Sequence, residues 1–207
     1  MLTPSFFQSV STITMYDPLA EVLGAAQDGI MTYEYSDVVK LAGHSCPTVA
    51  GVYLMLQEGL KALYDHETPI RGDIRVFMKG KLGEGVVGVM ANIASLITGA
   101  TDTSGFHGLG GKFDRRNLLV YEADIDGEIS LERVDNGSRV TLSYHPEVVS
   151  SDPRMQMWLK MIMNDQADFE IKQEFKSAWQ DRVKRILIDN INNPDLIICS
   201  GQEQLKR

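Results

Sequence analysis

The sequence predicts an α+β domain, a mixed or antiparallel sheet with helices packed against it, and three observations carry that expectation. Val49, Val52, Leu56, Leu60 and Leu63 recur at helical spacing through a segment rich in strong helix formers. Asp135-Asn136-Gly137-Ser138 separates the extended segments 127–134 and 139–144, the turn chemistry of an antiparallel hairpin. Helical and extended patterns otherwise mix without the strict alternation that builds an all-parallel sheet.

The elements follow in order. Residues 1–14 form a loose opening segment of a single domain spanning 1–207. Asp17-Pro18 supplies an N-cap and a first helical residue for a short acidic helix that Gly29 ends. Ile30 to Tyr35 alternates apolar and polar side chains, and Asp37 to Leu41 has helical character up to Gly43. The Thr48–Tyr64 helix precedes a strand at Ile74–Met78, a buried helix at Gly85–Ile97 and a strand at Leu118–Ala123. After the hairpin come two helices beyond Asp152-Pro153, with Phe175, Trp179, Val183, Ile186 and Leu187 as an apolar stripe, and a strand at Leu196–Cys199.

Bulk properties exclude some classes. A chain of 207 residues, 43% hydrophobic and 23% charged, can bury a core without disulfides or a structural metal. Its longest apolar run, Val86 to Ile97, is about twelve residues against the roughly 20 needed to span a bilayer, so no membrane partner is expected. The net charge is −8, and five acids, beginning with Asp17, precede the first basic residue, Lys40, which disfavours nucleic acid. No export signal is visible, so a cytoplasmic location is expected, with Cys46 and Cys199 as free thiols and Cys199 in the core.

The chemistry concentrates in Gly43-His44-Ser45-Cys46-Pro47. Pro47 suits the first position of the following helix, making Cys46 its N-cap, with the sulfur toward the positive end of the helix dipole. That setting suits both a nucleophile and a metal ligand, and His44 can share the same target. His-x-Cys fits zinc, nickel or iron, yet two ligands leave a tetrahedral ion half coordinated.

A fourteen-residue connection, Gly99 to Lys112, carries five glycines, and connections of such length are often functional. His107 and Asp102 are candidate metal ligands in it. Thr101, Lys112, Arg115 and Arg116 are candidates for holding a small anionic molecule. The segment is not a Walker A motif, since Phe113 follows Lys112 where Ser or Thr is required.

The order of parts, Gly-His-x-Cys-Pro opening an amphipathic helix, then a strand, then an apolar helix ending in Thr98-Gly99-Ala100-Thr101, resembles the FmdE family, which takes its name from a component of formylmethanofuran dehydrogenase. The likeness covers residues 15–190 in element order, and its specific part is Lys40–Gly51 with Ser95–Asn117. It implies an α+β core, often a homodimer, a groove holding His44 and Cys46 with a transition metal in some members, and a name tied to methanogenesis. Archaeal members tend to carry a second His at the place of Ala42, a Cys near Val89, an Asp at Asn92 and a Cys at Ala100. The cysteine-rich C-terminal zinc finger of some members is missing here. His107, with Asp102, is the replacement the sequence offers.

Three functions follow as expectations. The first is a protein holding zinc or a similar divalent metal through His44, Cys46, His107 and Asp102, with room for a small anionic substrate. The second is a metal-free thiol enzyme in which Cys46 attacks and His44 or His107 acts as base. The third is a non-catalytic accessory or sensor component of a larger assembly.

Overall fold

The computed structural model describes residues 3–203, with side chains through Gly201. A hairpin of β1 (Ile13–Tyr16) and β2 (Ile30–Tyr33) stands beside a five-stranded sheet. The larger sheet has the order β4-β3-β5-β6-β7, from β3 (Ile74–Met78), β4 (Leu119–Val120), β5 (Ile129–Arg133), β6 (Arg139–Tyr144) and β7 (Ile197–Glu203). Only β3 and β4 run parallel, so this α+β fold has a mixed sheet.

The register explains the core. Val76 lies opposite Leu131, Leu131 opposite Val140, and Ile129 opposite Leu142, which aligns the apolar side chains on one face. Helices α3 (Pro47–Tyr64) and α4 (Val87–Thr98) cover that face, and α2 (Tyr35–Ala42) packs against both. The other face carries Ser130, Thr141 and an Arg75–Glu132–Arg139 ladder, with the Arg139 guanidinium 4.1 Å from the Phe77 ring centre. Among the described residues no helix is long and apolar enough to cross a membrane.

The hairpin and the long helix fall where the sequence placed them, and four readings need correction. The helix capped by Asp17, α1, covers only Pro18–Val22, because Gly24 turns the chain at φ 65° well before Gly29. From Thr3 on, the opening segment is packed, not loose: Phe7, Val10 and Ile13 are buried, and the Phe7 ring meets Tyr35 edge-on at 4.9 Å. The strand after the glycine-rich connection is two residues long, since Glu122 takes a positive φ of 56°. Cys199 is exposed, because β7 is the outer strand of the sheet.

After β6 the chain forms a pair of packed helices, α5 (Met155–Met163) and α6 (Phe169–Lys184), and α6 continues into a π turn at Arg185–Asp189. Val183, Ile186 and Leu187 enter the core, whereas Phe175 and Trp179 stay half-buried along α6.

Candidate functional site

The turn at His44 is fixed from both sides. Gly43 ends α2 in the left-handed region at φ 76°, where its amide still bonds to the Val39 carbonyl. Cys46 then caps α3 from an extended backbone: its Sγ accepts the Val49 amide at 3.5 Å, and Pro47 occupies the first helical position. The Cys46 side chain is buried, while His44 is exposed. His44 Nδ1 lies 2.9 Å from the Ala42 carbonyl; donation there leaves Nε2 as the unprotonated ring nitrogen.

Ser45, between them, is held by the far end of the chain. Its carbonyl accepts from Trp179 Nε1 at 2.9 Å and from Gln180 Nε2 at 3.2 Å, and its hydroxyl donates to Gln180 Oε1 at 3.1 Å. Tyr35 OH reaches the same hydroxyl at 3.0 Å, and Tyr144 OH donates to the Pro47 carbonyl at 2.9 Å. Both phenols lie within electrostatic reach of the Cys46 sulfur, and burial pushes both well above the ordinary tyrosine range, so they remain protonated at neutral pH. Replacing Trp179 by Phe removes one donor to Ser45 and is expected to cost about 1 kcal/mol in a urea melt. It should also speed alkylation of Cys46, measured in a Cys199→Ser background because Cys199 is the exposed thiol.

The glycine-rich connection lies at the other end of the sheet. Tyr144, and with it Cys46, sits at the Met78 end of the strands. Helix α4 leads away from that end, and the Thr98 carbonyl accepts from Gly72, just before β3 begins. His107 is exposed in a loop tied to itself, with Arg115 N bonded to the Phe106 carbonyl and Leu109 and Lys112 bonded to each other. Asp102 accepts from the Ser104 amide and hydroxyl in a local turn. Among the described residues no three His, Cys, Asp or Glu side chains converge to hold a metal ion, so His107 and Asp102 do not join His44 and Cys46 within one chain.

Three of the four candidate anion holders are otherwise engaged. Thr101 Oγ1 donates within the loop, to the Ser104 or Arg115 carbonyl. Arg116 forks onto Asp114 at 3.0 and 2.6 Å. Arg115 is buried, with its guanidinium 2.8 Å from Asp17 Oδ1, while Arg71 reaches Asp17 Oδ2 at 2.9 Å. Lys112 alone of the four projects an exposed charge with no ion-pair partner among the described residues.

Two features went unread in the sequence. Gly83-Glu84-Gly85-Val86-Val87-Gly88 has dinucleotide-loop spacing within the parallel β3–α4–β4 unit. The hollow beside it, about 370 Å³, is lined by Glu84 and Glu128 against the single ammonium of Lys79, the wrong charge balance for a pyrophosphate. The second is Arg182, which lines a smaller cavity together with Pro47. Its place in the Trp179–Val183 helical stretch gave no sign that it would arrive beside the turn.

No protein-family model matches the chain, and no curated protein matches it.

Proposed function

We propose that this protein binds a divalent transition metal, zinc or a neighbour such as nickel or iron, through His44 Nε2 and Cys46 Sγ. The observation that carries this reading is the Nδ1 contact of His44 with the Ala42 carbonyl, because metal-binding imidazoles characteristically donate their second nitrogen to a carbonyl or carboxylate. The soft sulfur two residues on, seated at the start of α3, completes a donor pair of the chemistry zinc prefers. Two donors fit such an ion only in part, which leaves positions for water, a small anionic ligand or a donor from another copy. A bound ion would supply Lewis acidity; the chain's own groups orient the imidazole, seat the sulfur and keep the Tyr35 and Tyr144 hydroxyls protonated beside it.

Elemental analysis of protein equilibrated with zinc and then desalted tests the reading. About one ion per chain is expected, falling roughly tenfold in Cys46→Ser and in His44→Ala. His107→Ala should leave the occupancy unchanged if one chain builds the site; a loss there would mean that a second copy delivers its loop. Full occupancy in Cys46→Ser would overturn the proposal.

A second reading, thiol chemistry at Cys46 without metal, is favoured by the Val49 amide bonded to the sulfur. It predicts metal-free protein whose Cys46 still reacts with iodoacetamide in a Cys199→Ser background.

A further inference from the structure

We propose that the cavity between α5, α6 and the head of α3 binds a small carboxylic acid with an apolar body about the size of a phenyl ring, its carboxylate held by Arg182. The cavity measures about 150 Å³ and is walled mainly by Pro47, Met155, Leu159, Phe175, Ala178 and Trp179. An apolar cavity of about that volume takes a benzene-sized guest. Arg182 is the one charged residue in the lining.

Arg182 is set apart by its pairing. Every other arginine among the described residues has a carboxylate within ion-pair distance, and Arg182 has none. Its guanidinium is half-buried and oriented by two backbone carbonyls, Nε to Val149 at 2.8 Å and Nη2 to Pro146 at 2.8 Å. These neutral partners fix the group without cancelling its charge, and Nη1 has no partner among the described residues. An arginine that lines an apolar slot and keeps an uncompensated charge is matched by a carboxylate joined to an apolar body, which satisfies the charge and fills the space together. Ser151 and Gln156 also line the slot and add polar groups to its wall.

The slot adjoins the metal-binding turn proposed above, since Pro47 follows Cys46 and Trp179 holds Ser45. Its occupancy does not depend on a metal, so the test uses metal-free protein, and either proposal can fail without the other.

Calorimetric titration with phenylacetate is expected to give saturable one-to-one binding with a Kd of about 1 mM or tighter. Benzyl alcohol, which keeps the ring and loses the charge, should bind about tenfold more weakly. Arg182→Gln should remove that preference while leaving benzyl alcohol unaffected. Because Arg182 also ties down two carbonyls, Ala178→Phe provides an independent variant: it fills the slot from α6 and should abolish binding of both compounds with an unchanged circular dichroism spectrum. Equal affinity for the two compounds in the wild type, or undiminished phenylacetate binding in Ala178→Phe, would overturn the proposal.

Discussion

Asp17→Ala is expected to lower the unfolding free energy by roughly 3–5 kcal/mol, the usual cost of removing one partner from a buried ionic group. Asp17 is buried and accepts four hydrogen bonds: the Leu19 and Ala20 amides and Arg115 on one oxygen, Arg71 on the other. Without the carboxylate, two guanidiniums face each other in the interior, and the Nε of each already lacks a partner among the described residues. A pH dependence follows. Burial alone would raise the Asp17 carboxyl, but the Arg71 hydrogen bond, the Arg115 charge and the Ala20 amide outweigh it and hold the group below 3.8. A folded value below the unfolded one means that the contribution is complete above the unfolded value and is lost as pH falls through the folded one. Urea midpoints measured from neutral pH downward should therefore fall more steeply in the wild type than in Asp17→Ala once the pH passes below 3.8. Parallel acid limbs for the two proteins would show that the trio contributes nothing to acid sensitivity.

Gly51→Val is the second large effect, at about 1–3 kcal/mol from overpacking. A Cβ at Gly51 would fall inside the Tyr144 ring, so the ring has to leave α3. Its hydroxyl then releases the Pro47 carbonyl, and the cover beside Cys46 opens. The expected signature is joint: a lower urea midpoint together with faster alkylation of Cys46 in a Cys199→Ser background. Tyr144→Phe separates the two causes, since it removes the hydrogen bond, worth about 1 kcal/mol, and keeps the packing. A stability loss in Gly51→Val with Cys46 unchanged would detach the ring from the protection of the sulfur.

Local patterns read well in this sequence, and long-range pairing did not. The α3 stripe, the hairpin at Asp135–Ser138 and the capping roles of Asp17 and Cys46 depend on residues a few positions apart, where turn and capping chemistry acts. Asp17 was legible as a cap and illegible as a counter-ion, because its two arginines lie 54 and 98 residues away. Arg115 reads as a loop cation for the same reason: its glycine-rich surroundings suggest solvent, while Gly72 and Gly99 open the interior space its guanidinium enters. At the candidate site, His44 and Cys46 were visible as a pair, whereas the grip of Trp179 and Gln180 on Ser45 and the approach of Arg182 to Pro47 come from folding α6 back onto the start of α3.

That folding-back also sets a timetable. A ribosome delivers the chain from its amino end, and Ser45, between His44 and Cys46, emerges 134 residues ahead of the indole that secures it. Until α6 has been synthesised and docked, the turn lacks its clasp, the sulfur lacks part of its cover, and any ion or electrophile meets an unfinished geometry. The finished turn is thus a late product of biogenesis, and nascent chains stalled before Trp179 should present Cys46 as an open thiol.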